Sequence, residues 1–170
     1  MAEVHGFPPL CLPDATTLIL GSMPGRESLV RQRYYAHPRN GFWPIIASLF
    51  GITESGYEQR VRQLTARGIA VWDVLQACYR AGSLDSDIEE NSIVTNDFQL
   101  FFSEHPGITR VFFNGAKAES VYRKRVLPGL TGAPARLKLH RLPSTSPAHA
   151  SMNLEQKKLA WQIILERRDH

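Results

Sequence analysis

The chain has 170 residues, 43% of them hydrophobic and 21% charged, which is the balance of one globular domain with a single core. Its formal net charge of +4 at pH 7 permits a phosphate-rich partner without demanding one, and its two cysteines exclude a disulfide framework and a four-cysteine metal site. No stretch is apolar enough to span a bilayer and the first residues show no secretion signal, so we expect a cytoplasmic location.

The spacing of apolar and turn-forming residues predicts four strands that alternate with helices. The first half carries an irregular lead-in at 1–14, a strand at 16–20, helices at about 40–50 and 58–67, and a strand at 69–75. The second half carries a polar loop at 82–87, a helix at 95–104, a strand at 109–113, a helix at 117–126, a strand at 136–142 and a helix at 153–168. This order predicts one domain over 1–170, a three-layer α/β/α sandwich with a mostly parallel four-stranded central sheet.

Two loops rich in small and turn-forming residues follow predicted strands. The first loop is 21–25, Gly-Ser-Met-Pro-Gly, and the second loop is 143–149, Pro-Ser-Thr-Ser-Pro-Ala-His. Because ligands of open α/β sheets bind at the carboxyl ends of the strands, we expect both loops at one cleft. The first loop lacks the Lys-Ser/Thr ending of a nucleotide-hydrolysing phosphate loop, so it is either a plain tight turn or a turn whose N–H groups bind a phosphate or a carbonyl oxygen.

Several side chains near these loops have both a structural and a chemical interpretation. Asn40 is a typical helix N-cap, and capping does not exclude catalysis. Tyr35 and Phe42 suit a core, but aromatic residues beside a Gly/Pro loop also suit stacking on a flat base. Asp73 lies near the end of one predicted strand and Asn114 directly follows another, where they either bond to a neighbouring loop or face the cleft.

The second loop also allows two interpretations. Ser144, Thr145 and Ser146 either stabilise their own loop through hydroxyl–backbone hydrogen bonds or bind phosphates together with nearby basic side chains such as Arg39 and Arg141. The six histidines are scattered, so no metal site is predicted. No Gly-x-Ser-x-Gly segment is present, which argues against a serine hydrolase.

Taken in order, these motifs resemble the uracil-DNA glycosylase superfamily, and most nearly the hypoxanthine-DNA glycosylase family. The motifs that carry the resemblance are the first loop, Tyr-Ala-His-Pro-Arg-Asn-Gly-Phe-Trp at 35–43, Val-Trp-Asp-Val-Leu at 71–75, Gly-Ser-Leu-Asp at 82–85, Phe-Phe-Asn-Gly at 112–115 and Pro-Ser-Thr-Ser-Pro-Ala at 143–148. Together they span about 16–150, most of the domain. Each motif is short, but their order and combination are fairly specific.

The resemblance implies a monofunctional DNA glycosylase that flips a deaminated base out of DNA and hydrolyses its glycosidic bond. Hypoxanthine is the first expected base, with uracil and xanthine as further candidates. The family's catalytic Asn maps onto Asn40, which would orient a water molecule, and its base-stacking aromatic residue maps onto Tyr35. The expected partner is DNA with a deaminated base, no cofactor is expected, and the protein is expected to be a monomer that associates with the nucleoid if it is bacterial or archaeal.

The other expected site residues come from the loops and strand ends. The expected base pocket consists of Ser22, Met23, Tyr35, Phe42, Asp73 and Asn114. The expected DNA contacts are Gly25, Arg39, Arg141, Ser144, Thr145, Ser146, Ala148 and His149. Ala148 or His149 is expected to lie at the gap that the flipped base leaves.

The chain departs from the wider superfamily at two positions. Met23 stands where many members carry an acidic residue or Asn that helps activate water, and Ser144 stands where many carry His or Asn to steady the departing base. The cysteines of the iron–sulfur cluster of some thermophilic relatives are missing. Strong uracil excision is therefore not expected. Two alternatives stay open: a mismatch-specific uracil or thymine glycosylase on the same fold, and a non-catalytic module that binds damaged nucleic acid.

Overall fold

The structure, a computed structural model, describes residues 2–166. In chain order its elements are β1 (Ala2–His5), β2 (Thr17–Gly21), α1 (Arg26–Arg31), α2 (Phe42–Phe50), α3 (Tyr57–Thr65), β3 (Ile69–Asp73), β4 (Leu75–Arg80), β5 (Val94–Thr95), α4 (Phe98–Glu104), β6 (Arg110–Asn114), α5 (Ala116–Val121), β7 (Lys138–Leu142) and α6 (Leu154–Trp161). Short helical turns extend α5 through Val126 and α6 through Leu165. Within residues 2–166, none of the helices has the length and apolar character needed to cross a membrane.

The predicted four-stranded sheet is confirmed, with strand order β3-β2-β6-β7 and every neighbouring pair parallel. Helix α3 packs against β3, α5 packs against β2, β6 and β7, and α2 packs against α6, which confirms the α/β sandwich. The chain leaves β2 in one direction to form β3 and returns to the other side of β2 to form β6. The loops that follow β2 and β6 therefore diverge and leave a crevice at the carboxyl ends of these strands.

Residue type along the strands explains where this crevice begins. Leu18, Ile19 and Leu20 of β2 are fully buried, as expected for a parallel strand covered by helices on both faces. The apolar run then stops at Gly21, which lies directly beside Asp73 at the end of β3. Asn114 ends β6 in the same way. The sheet thus replaces its apolar layer with small and polar groups at the edge where the loops begin.

The structure contains a second sheet that the sequence does not predict. Strands β1, β4 and β5 form a small antiparallel sheet, in which Val4 lies opposite Cys78. The expected irregular lead-in at 1–14 is wrong for residues 2–5, because the partner of β1 is far away in the sequence. The single strand expected at 69–75 is also wrong: it ends at Asp73, and Leu75 begins β4 in the other sheet. Both segments are buried and apolar, so the hydrophobic pattern does not show the break.

Helix boundaries differ from the prediction for local reasons. Helix α1 is not predicted from the sequence, because a segment of six residues is too short to show a helical period. Helix α2 begins at Phe42, and Gly41 rather than Asn40 is its N-cap. Helix α4 begins after Asp97, whose side chain accepts a hydrogen bond from Leu100 N. The predicted start of α6 is confirmed by a capping box at Asn153, whereas the predicted residues 167–168 lie outside the described residues.

Candidate active site

A cleft of about 1030 Å³ lies at the carboxyl ends of β2, β3 and β6. Its walls are the first loop, the segment that leads from Tyr35 to Asn40, the second loop, and residues 83–86, which we name the third loop. Of the site residues expected from the sequence, all except Phe42 and Arg141 line this cleft. The structure therefore brings together the two loops and the strand-end residues as expected.

Phe42 and Arg141 lie outside the cleft lining, one behind the cleft wall and the other on an outer strand. Phe42 is fully buried behind the cleft wall, where its ring stacks on the Tyr35 ring with centroids 4.0 Å apart and an interplanar angle of 19°. Phe42 therefore supports the Tyr35 ring from behind. Arg141 is exposed on the outer strand β7, and its Nε lies 3.7 Å from Oε1 of Glu119. Its expected place beside the second loop in the cleft is not observed.

Tyr35 is held in an unusual backbone conformation beside Gly21. Its φ of +57° lies in the left-handed region, which residues other than glycine rarely occupy. A Cβ atom on Gly21 would lie 2.9 Å from the Tyr35 hydroxyl oxygen and 2.6 Å from Oδ1 of Asp73. A side chain at position 21 would thus displace both polar groups, which explains the glycine there.

The Tyr35 hydroxyl and the Asp73 carboxyl form an unsatisfied polar pair. Among the described residues, neither the Tyr35 hydroxyl oxygen nor Oδ2 of Asp73 has a hydrogen-bond partner, although both atoms are buried. Burial and the negative charge of Asp73 raise the pKa of Tyr35, whereas the nearby Asn114 amide lowers it without reaching hydrogen-bonding geometry, so the hydroxyl stays neutral. Buried polar groups are normally hydrogen-bonded, so these two atoms leave bonds for a water molecule or a ligand in the cleft to supply.

Asp73 has a carboxyl group that titrates near neutral pH. Burial raises its pKa from 3.8 to about 7; the nearby negative charge of Asp85 raises the pKa as well, and Arg80 lowers it. The buried side chain is therefore protonated in a substantial fraction of molecules at neutral pH. In that form it offers both a hydrogen-bond donor and an acceptor, whereas the ionised form offers acceptors alone.

Asn40 precedes α2 and has its side chain fixed by the backbone. Its Oδ1 accepts a hydrogen bond from Phe42 N at 2.9 Å, and its own backbone N donates to the His37 carbonyl at 2.9 Å. The expected N-cap at Asn40 is therefore wrong: Gly41 is the cap residue, no side chain caps it, and Asn40 instead accepts from the first residue of α2. Because Oδ1 has a second lone pair and Nδ2 has two hydrogens, a fixed Asn40 amide at the cleft wall can still hold a water molecule.

Thr145 joins three parts of the site. Its hydroxyl accepts a hydrogen bond from Asn114 Nδ2 at 3.0 Å, and its backbone N donates to Asn114 Oδ1 at 2.9 Å. Its carbonyl accepts from Gly41 N at 2.9 Å, next to Asn40. Thr145 therefore connects the end of β6, the second loop and the start of α2. Asn114, expected to contact the base, uses both polar atoms of its amide to hold this loop, and its contact with a base stays a prediction.

We expect Thr145→Val to lower the free energy of unfolding by about 1–3 kcal/mol, because it leaves the buried Nδ2 of Asn114 without its acceptor. Urea denaturation measures this change. Thr109→Val is the matched control: Thr109 is exposed, and the same substitution there should stay within about 0.5 kcal/mol of wild type. Equal stability of the two variants would contradict the role assigned to Thr145.

Helix α6 supports the second loop from beneath. The Lys157 ammonium donates to the Ser146 carbonyl at 3.1 Å, and Trp161 Nε1 donates to the Pro143 carbonyl at 2.9 Å. Lys157 is buried, and this burial lowers its pKa. The part of the loop from Pro143 to Ser146 is thereby fixed to one helix, so its hydroxyl groups keep a defined position at the cleft.

The third loop is a part of the site that the sequence prediction missed. The Ser22 hydroxyl donates to Oδ1 of Asp85, and Arg26 N donates to the Ser83 hydroxyl at 2.8 Å. The buried Arg80 donates to the carbonyl of Pro24 in the first loop and to that of Gly82, just before the third loop, each at 2.8 Å. The only sequence signal for this wall is the motif at 82–85, which carries family resemblance but no obvious chemistry.

Comparison with known proteins places this fold and site in a family. The family model described as the uracil DNA glycosylase superfamily matches residues 8–165. The chain therefore belongs to the uracil DNA glycosylase superfamily, as the motifs predict. It is 35% identical to a hypoxanthine DNA glycosylase of Methanosarcina acetivorans over 147 residues, covering 81% of this chain and 92% of that protein. It is also 36% identical to a hypoxanthine DNA glycosylase of Methanosarcina barkeri over 116 residues, or 67% and 72% of the two chains.

The fold has a solved counterpart as well. A Methanosarcina acetivorans protein, solved by solution NMR as a candidate uracil DNA glycosylase, superimposes with a TM-score of 0.77 and 30% sequence identity. The match covers 97% of this chain and 100% of that one. The architecture inferred from the strand order is therefore shared along nearly the whole chain.

Proposed function

We propose that this chain is a monofunctional DNA glycosylase that removes deaminated bases, hypoxanthine first, and so initiates base excision repair. The observation that carries the proposal is the unsatisfied pair formed by the Tyr35 hydroxyl and the Asp73 carboxyl, in the same cleft as the fixed amide of Asn40. The relatives named hypoxanthine DNA glycosylase support the choice of base. Uracil and xanthine are further candidates for the same cleft.

Recognition begins when the damaged nucleotide leaves the duplex and enters the cleft. The flipped base stacks on Tyr35, whose ring is backed by Phe42. Hypoxanthine carries a donor at N1 and an acceptor at O6 on one edge. Protonated Asp73 supplies the complementary acceptor and donor. Met23, which lines the cleft, contributes only apolar contact.

Hydrolysis then requires a water molecule on the sugar. As the bond between the sugar carbon and the base nitrogen breaks, its electron pair goes to the base and the sugar becomes cation-like. Asn40 orients the water that attacks this carbon; a neutral amide is no strong base, so its contribution is positioning and polarisation. The water loses a proton as it bonds to the sugar carbon and the departing base gains one, so the products are the neutral free base and an abasic site. Lys117, which lines the cleft, is ion-paired with Glu90, consistent with hydrolysis rather than lysine attack.

The loops provide contacts to the DNA backbone. Ser144 and Ser146 accept hydrogen bonds from N–H groups of their own loop, at 3.2 Å each, so both hydroxyl hydrogens stay available to phosphates. Gly25 lines the cleft, and a Cβ atom there would lie 3.0 Å from the Ser83 hydroxyl oxygen, so glycine lets the first and third loops approach each other. The exposed Arg39 adds positive charge at the cleft, and Ala148 and His149 border it.

We expect Arg39→Glu to weaken binding to damaged and undamaged duplexes by a similar factor, about tenfold at low salt, and to flatten the salt dependence, because a phosphate contact releases counterions. Fluorescence anisotropy at several salt concentrations measures both effects. Arg141→Glu is the matched comparison: Arg141 lies outside the cleft and faces Glu119, so the same charge reversal should have a smaller effect. Loss of binding on the damaged duplex alone would contradict a phosphate contact at Arg39.

A panel of substrates tests the proposed function. Duplexes with deoxyinosine, deoxyuridine, deoxyxanthosine or a thymine mispair are compared in single-turnover reactions, with abasic product as the readout. The proposal predicts fastest excision from deoxyinosine. Fastest excision from uracil or thymine mispairs would indicate a mismatch-specific glycosylase instead, and tight binding without abasic product would indicate a damage-binding module.

A further inference from the structure

The third loop presents a leucine to solvent at the wall of the cleft. Leu84 is 48% exposed, and among the described residues it is the one large hydrophobic side chain that is both exposed and part of the cleft lining. A singly exposed leucine is ordinary on a protein surface. Leu84 is notable because it lies at the cleft and because hydrogen bonds fix the loop that carries it.

The loop holds Leu84 on a rigid turn. Leu84 N donates to Oδ2 of Asp87 at 3.3 Å, and the Leu84 carbonyl accepts from Asp87 N at 3.0 Å. The neighbours on both sides are fastened to the first loop: Ser83 accepts from Arg26 N, and Asp85 accepts from the Ser22 hydroxyl. The backbone that carries the exposed side chain is therefore ordered before any ligand arrives, and little entropy remains to be lost on binding.

The second loop has no large apolar side chain to fill the gap that base flipping leaves in the duplex. A flipped nucleotide leaves a gap in the base stack, and proteins that unstack DNA often insert an apolar side chain between neighbouring bases. The second loop offers only Ala148 and His149 at the cleft, neither of which is a large aliphatic residue. Leu84 has the size and apolar character that the second loop does not provide.

We propose that Leu84 inserts into the base stack of the substrate duplex beside the lesion and holds the duplex open while the damaged base occupies the cleft. This proposal rests on the proposed function and assigns the duplex itself as the ligand of the third loop. Because an unpaired strand needs no opening, Leu84 contributes to excision from duplexes and little to excision from single strands. The contribution depends on apolar volume, so methionine can replace leucine.

Single-turnover release of hypoxanthine tests the proposal with one deoxyinosine oligonucleotide, used paired and as a single strand. Leu84→Ala is expected to lower the duplex rate about tenfold or more, and to leave the single-strand rate within about twofold of wild type. Leu84→Met should retain most of the duplex rate. Leu100→Ala is the matched control, because Leu100 is 55% exposed on α4 and lies outside the cleft lining. His149→Ala, compared in parallel, measures the contribution of the second loop.

A second readout separates this proposal from the proposed function. A 2-aminopurine placed next to the deoxyinosine becomes fluorescent when it loses its stacking partner, with or without excision. The proposal predicts a fluorescence rise with wild type and with Leu84→Met, and a much smaller rise with Leu84→Ala. If wild type opens the duplex but releases no base, the proposed function fails and the insertion stands. Equal fluorescence with wild type and Leu84→Ala, or equal loss of excision on paired and single strands, would overturn the insertion.

Discussion

Asn40→Ala is expected to slow the single-turnover release of hypoxanthine by roughly 10²–10⁴-fold, the usual contribution of a positioned catalytic group. The amide at position 40 lines the cleft, and its Oδ1 is fixed by Phe42 N at 2.9 Å. Alanine removes both the polar atoms that orient water and the hydrogen bond that orients the amide. Binding of deoxyinosine DNA should persist, because Tyr35 and Asp73 are untouched.

The fold should survive this change. The lost contact is a single side-chain hydrogen bond at a helix start, which costs about 1 kcal/mol. Thermal unfolding of the variant checks that it is folded. Met23→Ala is the comparison in the first loop, and it should slow the reaction much less because Met23 has no polar group to orient water. A folded Asn40→Ala protein with a rate near that of wild type would remove Asn40 from the mechanism.

Asp73→Ala is expected to lower the rate by about 10²-fold or more, the scale of one well-placed donor in a water-excluded site. Asp73→Asn should retain most of the activity, because the amide supplies both a donor and an acceptor in the same shape. The pH profiles should differ. Since the pKa of Asp73 is about 7, the wild-type rate should fall as pH rises through 7, whereas the Asp73→Asn rate should stay level.

The neighbours of Asp73 supply the control for this pH dependence. Asp85 raises the pKa of Asp73 and Arg80 lowers it, while Tyr34 and Tyr35 are neutral hydroxyls whose own pKa values are raised by burial and by Asp73. Asp85→Asn should therefore move the fall in rate to lower pH. A wild-type rate that rises through pH 7 would show that the ionised carboxyl is the active form and would contradict the assignment.

Stability should respond to pH through the same group. The folded pKa of Asp73 lies above its ordinary value, so the unfolded chain releases the proton first as pH rises. The stability contribution is present below about pH 4 and declines by a few kcal/mol, to order of magnitude, as pH approaches 7. Asp73→Asn lacks this decline. Denaturation across this window therefore tests the burial of Asp73 without any substrate.

The part of the fold that is local in sequence was predictable, and the part that depends on distant pairing was not. Strand β2 and the start of α6 follow from an apolar run and from the capping box at Asn153. Strands β1 and β4 pair although most of the first half of the chain separates them, and no local sequence pattern predicts that pairing. The boundary between β3 and β4 does not show in the apolar run at 69–75, because the residues of both strands in this run are buried.

The candidate site, too, has features that the sequence predicts and features that only the structure shows. The Gly/Pro loops and the strand-end positions of Asp73 and Asn114 predict a cleft, because parallel strands bring their carboxyl ends to one edge. The sequence did not show which side chains contact each other: Asn114 hydrogen-bonds to Thr145, and Phe42 lies behind Tyr35 instead of facing the cleft. The third loop was missed because its role rests on contacts with the first loop, which only the folded chain brings together.

Direct product analysis tests whether the protein releases hypoxanthine by hydrolysis and whether the release depends on Asn40. Wild type and Asn40→Ala are incubated in excess with a deoxyinosine duplex, and free hypoxanthine and the abasic strand are quantified chromatographically over time. We expect equal amounts of both products from wild type and an uncleaved strand backbone before alkali treatment. Release by Asn40→Ala should be slower by roughly 10²–10⁴-fold although the DNA is bound. Bound DNA with no free hypoxanthine from wild type would contradict the proposed hydrolysis.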